Sequence, residues 1–382
     1  MSAEGGWQKY PSFQVGANLV FALLSFGLPA GRSQGSPLQD KGRNQVYQRR
    51  RIKAFLVTGC LLFFRLARPA LATGCLSDGR PVMGTVLEIT LCSTDTAQDQ
   101  QTLTALFTSA ARLDSLLTTF SPHSPLSRLN ARAGQGAQPV PPEVADVLSL
   151  SLSYWRLTGG TFDVTVGPLM ALWRQAAVAH TPPSPAAVQR ARARVGSEKL
   201  RLSSAGRVSL TRPGMAIDLG GIGKGYALDH LAGLLSKQGI TNALLDFGQS
   251  SMWALGAPPD AAGWRLLVQQ PDGGTVGVIT LHDQALSVSG SLGQSVTVNG
   301  QRYGHVIDPR SGEPLRRDLL ACVIAPSAAQ AEALSKALLI LGEQQGIALL
   351  QRLPGVEGVL LDAGGQRWMT AGWAQAVAFA PL

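Results

Sequence analysis

Apolar residues recur with two different periods between residues 78 and 375. Spacing of three and four residues predicts helices over 101–117, 144–157, 170–177, 225–238 and 328–341. Short alternating or continuous apolar runs predict strands over 86–91, 202–210, 243–247, 265–269, 275–281, 285–289, 319–325 and 358–362. Clusters of strands lie between single helices, without the regular alternation of a Rossmann sheet. The pattern predicts α+β structure with mixed or antiparallel sheets and flanking helices, as one compact domain or two closely packed lobes.

A different pattern precedes this region. Arg49-Arg50-Arg51 and Lys53 stand before an apolar run at 54–64, and Ala70-Leu71-Ala72 follows, which is the order of a cleavable export signal. The apolar run is shorter than the roughly 20 residues that a membrane-crossing helix needs. We therefore expect a leader over 1–72, with a signal peptide at about 46–72. Residues 1–45 are interpreted as a possible over-extended translation start.

The end of the leader leaves three alternatives open. Cleavage after Ala72 would release a soluble protein, whereas residues 72–75 form an imperfect lipobox that would place a lipid on Cys75. The Leu usually found three residues before such a cysteine is missing, which favours simple cleavage. The arginine run also loosely matches a twin-Arg signal. All three alternatives predict a periplasmic protein or one that is anchored in the inner membrane and faces the periplasm. The anchor would be the lipid or an uncleaved leader.

The cysteines argue against a soft-metal site. The chain has no CxxC pair and no Cys/His cluster with zinc spacing. Cys92 and Cys322 each lie in apolar, strand-like runs. We expect both to be buried free thiols.

The net charge of +9 is concentrated in the leader. Residues 1–72 hold ten Lys or Arg against two acidic residues, which leaves 23 basic and 22 acidic residues in the remainder. A nearly neutral body lacks the basic surface that a nucleic acid requires. With 45% hydrophobic residues over its full length the chain can bury a sizeable core, and we expect no nucleic-acid partner.

A glycine-rich turn over 217–225 is the first candidate for chemistry. Four glycines between 220 and 225 let backbone groups approach a ligand, and the helix predicted to follow offers its N-terminus to an anion. Lys224 adds a charge suited to phosphate. The turn has neither GxGxxG nor Walker spacing, and tight packing is the structural alternative.

Two further turns carry candidate residues. Asp163 stands between apolar neighbours after Gly159-Gly160, where an unpaired carboxylate would be costly. It either accepts hydrogen bonds from a ligand or caps the turn internally. His305 opens a short run that ends in Asp308-Pro309, and a structural histidine is the alternative there.

Seven segments in order resemble the motifs of the FAD:protein FMN transferase (ApbE-type) family. They are 80–85, 120–130, 159–169, 217–229, 287–291, 303–314 and 332–338, the last matching only in part. The match covers about 80–361. It implies a T-fold-related domain and a periplasmic enzyme that cleaves the pyrophosphate of FAD. The FMN half would pass to a Thr or Ser hydroxyl of an acceptor, typically a flavoprotein subunit of a membrane redox complex, with release of AMP.

The resemblance also assigns roles to residues. It implies catalytic roles for His305, Asp218 and Lys224, and a metal ligand at the carbonyl of Gly221. It implies contacts with FAD from Met83, His123, Thr161, Phe162, Asp163, Asp218, Lys224, Ser289, His305, Val306 and Lys336.

The late helix departs from the family pattern. Where the family has Asp and, four residues on, Thr as ligands of Mg²⁺, this chain has Glu332 and Lys336. Residues four apart share a helix face, but a protonated lysine cannot ligate a metal. We hypothesise that the Lys336 ammonium partly replaces the charge of the metal; the alternative is a surface Glu/Lys pair.

Three functions remain in competition at this point. The leading interpretation is an active FMN transferase, because most residues on the phosphate side match. The substitutions at 332 and 336 keep open a non-catalytic periplasmic FAD-binding protein. An FAD pyrophosphatase that gives FMN and AMP, with water as acceptor, is the third.

Overall fold

The computed structural model describes residues 74–93, 95–204, 206–269, 275–293, 295–298 and 301–378 of the 382-residue chain. The leader expected over 1–72 lies outside these residues. Their contacts join the described residues into one compact unit, as expected of a single domain. Within these ranges no helix has both the length and the apolar character that crossing a bilayer requires.

The strands and helices are as follows. The strands are β1 (Gly74–Val82), β2 (Thr85–Ser93), β3 (Gln138–Pro139), β4 (Leu200–Leu202), β5 (Arg207–Leu210), β6 (Ala243–Phe247), β7 (Ser251–Leu255), β8 (Trp264–Gln269), β9 (Thr275–Leu281), β10 (Gln284–Gly290), β11 (Ser295–Val298), β12 (Gln301–Gly304), β13 (Leu319–Ala325), β14 (Glu357–Asp362), β15 (Arg367–Met369) and β16 (Val377–Ala378). The helices are α1 (Thr96–Leu117), α2 (Pro125–Ala131), α3 (Pro142–Leu157), α4 (Gly167–Ala179), α5 (Pro185–Arg192), α6 (Gly223–Lys237), α7 (Ala328–Leu350) and α8 (Trp373–Ala376), with a 3₁₀ turn at Ser197–Lys199.

An eight-stranded antiparallel sheet forms the centre of the fold, in the order β1-β2-β6-β7-β10-β13-β14-β15. Side chains alternate across it, as the period of two requires. In β6, Leu245 and Phe247 pack into the cluster that contains α1, α6 and α7, whereas Leu244 packs into a second cluster with Trp264 and Ile279 of β8 and β9. The sheet therefore has an apolar layer on each face, and the α+β prediction is confirmed.

Helix α7 lies against the middle of this sheet. It packs on β10 and β13 on one side and on α6 on another, which explains why its sequence is apolar on nearly every face. The predicted helix over 328–341 continues to Leu350 after an interruption at Gly342, whose φ of 73° is readily available only to glycine. The first segment carries Glu332 and Lys336.

The prediction of a free thiol at Cys92 is wrong. Cys75 and Cys92 face each other in the β1–β2 register and form a disulfide, whereas Cys322 is buried and free as expected. The sequence did not reveal β1 because most of its side chains are exposed and it lacks apolar alternation. Strand β1 begins at Gly74, before the predicted boundary at 78.

The strand predicted over 202–210 is a hairpin instead. Its two arms are β4 and β5, which pair antiparallel around a turn that contains Gly206 with a φ of 66°. The apolar period continues through both arms, so periodicity alone did not reveal the reversal. The hairpin and β3 form a small separate sheet.

Candidate functional site

Two glycine-containing turns that are distant in sequence run side by side. The backbone N–H of Asp218 donates to the carbonyl of Val164 at 2.8 Å, and Val166 forms a parallel bridge with Ala216. A methyl group at Gly167 would lie 2.6 Å from the carbonyl oxygen of Ala216, so only glycine allows this approach. The fold thereby brings the predicted 159–169 and 217–225 segments together.

A third predicted segment supports the same turn. The side-chain amide of Asn130, in α2, donates to the carbonyl of Ile217 at 2.9 Å, and its oxygen accepts from the N–H of Ile217 at 2.7 Å. This pair of hydrogen bonds satisfies the backbone of a residue that is 1% exposed. Asn130 therefore positions the start of the glycine-rich turn.

Asp218 is held between the turn and α4. Its Oδ1 accepts from the N–H of Gly220 at 2.9 Å, and its Oδ2 accepts from Nη2 of Arg174 at 2.9 Å. The Arg174 side chain is 54% exposed, compared with 15% for Asp218, so the guanidinium stands at the surface of the site. Sequence reasoning missed Arg174 because it belongs to no recognised motif; its place two turns into the helix that the 159–169 motif opens was the available signal.

The same helix fixes the 303–314 segment. Trp173, next to Arg174, is 9% exposed, and its Nε1 donates to the carbonyl of Gly312 at 2.9 Å. Its ring stacks at a tilt on Tyr303, with centroids 5.2 Å apart. Helix α4 thus connects the two turns to the segment that carries His305.

Glu332 is the anionic centre of the site. It is 0% exposed, so the interpretation as a surface pair is wrong. Its Oε2 accepts from the N–H of Gly225 at 3.0 Å, and its Oε1 accepts from the Ser251 hydroxyl and lies 3.5 Å from Nζ of Lys224. Burial alone would raise the pKa of Glu332, but Lys224 and Lys336, with these hydrogen bonds, lower it below its ordinary value. The two ammonium groups and these hydrogen bonds therefore favour the charged form of the carboxyl.

Lys336 places a second ammonium group beside this carboxylate. A methyl group at Gly221 would lie 3.3 Å from Cε2 of Phe162 and 3.8 Å from Cγ of Lys336, so the lysine stem runs along the glycine-rich turn. Burial lowers the pKa of Lys336 to about 8, helped by Lys224 and opposed by Glu332. Two cations thus share one anion at the N-terminus of α6. We name Lys224, Glu332 and Lys336 the charge cluster.

Serine hydroxyls line the strand side of α7. Oγ of Ser335 lies 2.9 Å from Oγ of Ser289 and 3.1 Å from that of Ser287, and it donates to the carbonyl of Glu332 at 2.9 Å. Ser289 is 9% exposed. The predicted Ser289 thus contacts the residue that precedes Lys336, and these bonds fix the register of α7 on β10.

Asp163 has an internal set of partners. Its Oδ1 accepts from the N–H and hydroxyl of Thr165 at 2.8 and 2.6 Å and from the hydroxyl of Ser197 at 2.7 Å. Its Oδ2 accepts from the N–H of Ser197 at 2.9 Å. These bonds favour the structural alternative for Asp163. The neighbouring Thr161 donates to the carbonyl of Thr158 at 2.9 Å.

The remaining predicted residues stand in other turns. Met83, with a φ of 52°, occupies the β1–β2 turn, and its N–H donates to Asp114 at 3.0 Å. His123 is exposed before α2. His305 is exposed directly after β12, and Val306 is 7% exposed, with its carbonyl accepting from the N–H of Leu315 at 2.8 Å.

A cavity of about 490 Å³ adjoins the 159–163 turn. Arg192, Lys199 and Arg310 line it together with Trp155 and Asp163. Two of these cations are already engaged, since Arg310 pairs with Asp308 at 2.8 Å and Lys199 donates to the carbonyl of Val195. None of the three residues of the charge cluster lines this cavity.

The predicted metal positions do not fit Mg²⁺. This ion requires near-octahedral coordination by oxygen. Both oxygens of Glu332 already hold internal donors, and the ammonium of Lys336 has no lone pair to offer. Across the described residues no group of three or more His, Cys, Asp or Glu side chains could hold a metal ion. Of the three predicted metal positions, only Gly221 still offers the expected ligand, its backbone carbonyl oxygen.

Comparison with known proteins adds independent observations. A model of the ApbE family matches residues 83–360. The chain is 31% identical over 323 residues to an FAD:protein FMN transferase of Klebsiella pneumoniae, covering 79% of this chain and 91% of that protein. It is similar in structure to the flavin transferase ApbE from Vibrio cholerae, with a TM-score of 0.71 and 25% identity over 80% of this chain and all of that one. The apo form of the Pseudomonas stutzeri flavinyl transferase ApbE gives a TM-score of 0.72 and 26% identity, over 81% and 98%.

Proposed function

The chain belongs to the ApbE family, and from that premise we propose that it is an FAD:protein FMN transferase. The enzyme cleaves the pyrophosphate of FAD, joins the FMN phosphate to a Thr or Ser hydroxyl of an acceptor protein and releases AMP. One structural observation supports the assignment to a site: separate motifs converge on the charge cluster, and the Asp218–Arg174 pair lies at the start of the same glycine-rich turn that carries Lys224.

Cations and backbone donors bind the pyrophosphate in this proposal. The pyrophosphate of FAD carries two negative charges, and the charge cluster has a net charge of +1 when both lysines are protonated. Arg174 adds a guanidinium that can contact a phosphate while it keeps Asp218 in place. The positive end of the α6 dipole favours the same anion. Fixed charges of this kind stabilise phosphoryl transfer because the reaction depends on positioning and neutralisation.

The chemical step exchanges the phosphoanhydride bond of FAD for a phosphoester bond to the acceptor. The acceptor hydroxyl oxygen attacks the phosphorus of the FMN half, and the bond from that phosphorus to the bridging oxygen breaks, with AMP as the leaving group. Asp218 accepts the hydroxyl proton, because Gly220 and Arg174 hold its carboxylate in a fixed orientation. His305 donates to the phosphates as AMP departs.

We further propose that the enzyme works outside the cytoplasm on a flavoprotein subunit of a membrane redox complex. The Cys75–Cys92 disulfide supports export, since such bonds persist in oxidising compartments. It also favours simple cleavage of the leader over lipidation, because the disulfide uses the sulfur that a lipid would need.

The test combines the protein with FAD and a domain bearing a candidate acceptor Thr. Intact mass of the acceptor and chromatography of AMP are followed together. An acceptor that gains one FMN with AMP released supports the transferase. Release of FMN and AMP without labelling would support the pyrophosphatase, and tight FAD binding with neither product would support the flavin-binding protein.

Arg174 provides a variant for the same assay. Arg174→Met should lower kcat/KM by about tenfold or more, because one phosphate contact and the orientation of Asp218 are both lost. Arg190→Met is the matched control, since Arg190 is exposed on the neighbouring α5. Equal rates for the two variants would contradict the role of Arg174.

A further inference from the structure

The charge cluster contains one more cation than its carboxylate can neutralise. Glu332 is wholly buried and engaged by Gly225, Ser251 and Lys224. No ion pair within 4.0 Å joins Lys336 to any residue that the structure describes. Lys336 therefore brings a positive charge into the site that the protein leaves available for something else.

The surroundings of Lys336 are built to receive an anion. Lys336 is half-buried as a residue, whereas Glu332 is wholly buried. The stem runs along Gly221, at the turn that leads into α6, and the positive end of this helix dipole favours a negative charge there. Ser335 and its bonds to Ser287 and Ser289 fix the α7 turn that carries the lysine.

We propose that the Lys336 ammonium does in this protein what a divalent cation would otherwise do at the FAD pyrophosphate, so that FAD is bound and cleaved without Mg²⁺. The inference rests on the proposed function, because it names the group that neutralises the substrate of that same site. The ammonium supplies one charge and up to three N–H donors, and it does not coordinate phosphate as a metal does. The bonds formed and broken in the transfer are unchanged.

Lys224 cannot supply this charge by itself. Its Nζ lies 3.5 Å from Oε1 of Glu332, so its charge is largely paired before FAD arrives. Mg²⁺ would meet two ammonium groups at this place and a carboxylate with its oxygens in use. The donor set is therefore better suited to a fixed cation than to a bound metal.

FAD binding tests the inference independently of turnover. Quenching of flavin fluorescence gives the Kd of the full protein in EDTA and in Mg²⁺. We expect values within about twofold of each other. Lys336→Met, which keeps the length and removes the charge, should weaken binding about tenfold or more in both conditions. Lys336→Arg should restore most of the affinity, and Lys237→Met, at an exposed position on α6, should behave as wild type.

A double substitution tests the converse. Glu332→Asp with Lys336→Thr removes the added ammonium and shortens the carboxylate, which opens oxygen donors near the carbonyl of Gly221. We expect this variant to bind FAD and to transfer FMN only with Mg²⁺, while wild type transfers FMN in EDTA. Thermal unfolding of each variant identifies any that fails to fold.

The outcomes separate this inference from the proposed function. Transfer by wild type that EDTA abolishes and Mg²⁺ restores would overturn the role of Lys336 and leave the transferase intact. FAD binding that is independent of metal and dependent on Lys336, with neither AMP nor labelled acceptor formed, would support Lys336 and overturn the transferase. A wild-type protein that binds no FAD in either condition overturns both.

Discussion

Lys336→Met should make the protein more stable while it weakens FAD binding. Burial lowers the pKa of Lys336 from 10.5 to about 8, so the folded protein disfavours the charged amine relative to the unfolded chain. Each pKa unit corresponds to about 1.4 kcal/mol, which sets an upper limit of about 3 kcal/mol on the cost of the charge at pH 7. The pKa of about 8 already includes the attraction to Glu332, and the partial exposure of the residue reduces the expected gain to about 1–2 kcal/mol.

The same pKa shift makes the free energy of unfolding depend on pH. Between pH 8 and pH 10.5 the unfolded chain keeps the proton on Lys336 and the folded protein has lost it, so the free energy of unfolding rises with pH over this range. In Lys336→Met this rise should be absent. The groups that face the amine are Glu332 on its own helix and Lys224 on α6, and Lys224→Met, measured in parallel, reports their contribution.

Urea unfolding of wild type and Lys336→Met at pH 7 and pH 9.5 measures both effects. A variant that is destabilised by more than about 1 kcal/mol at pH 7 would refute the reasoning, because Lys336 would then be a structural partner of Glu332. A stabilised variant that binds FAD as well as wild type would refute the functional role instead. Greater stability with lost binding is the expected combination, typical of a residue retained for function.

Three further predictions concern the support of the site and the fold. Asn130→Ala should lower the free energy of unfolding by about 1–3 kcal/mol, because two backbone groups of Ile217 lose their partner. The displaced turn should also weaken FAD binding. Urea unfolding measures the first effect and flavin fluorescence the second. Cys92→Ser should cost about 2–4 kcal/mol by removing the disulfide with Cys75, as urea midpoints with and without reductant will report. Burial raises the pKa of Asp246 to about 7, so the free energy of unfolding should fall as pH rises from about 4 to 7. Asp246→Asn should remove about 1–2 kcal/mol of that fall. Urea unfolding at pH 5 and 8 measures the difference.

A specific result would contradict each of these three predictions. Unchanged urea midpoints and FAD affinity in Asn130→Ala would mean that the turn holds itself in place. If reductant left the wild-type midpoint above that of Cys92→Ser, the substitution would act through packing rather than through the disulfide. If Asp246→Asn showed the same pH slope as wild type, another buried acid would be responsible, with Asp229, whose pKa burial raises to about 6, the first to examine.

The helices and central strands were predictable because their signals are local. Strands 243–247, 275–281 and 319–325 were predicted at their observed limits, since apolar runs of that length between turn residues have few other uses. The hairpin over 200–210 was predicted as one strand, because its reversal depends on the backbone at Gly206 and leaves the apolar period intact. Strand β1 was missed because its mostly exposed side chains carry no alternation.

The sequence by itself determined the fold class, the family and the segments that form the site, because motifs are read along the chain. Only the tertiary structure decided what those segments do to one another. It paired Arg174 with Asp218, bonded Cys75 to Cys92 and buried Glu332 among donors supplied by other elements. Burial and distance set the charge state and the partner of a side chain, and both depend on residues far away in the sequence. The substitution at Lys336 was visible in the sequence, but its available charge became visible only once the fold had given Glu332 its other partners.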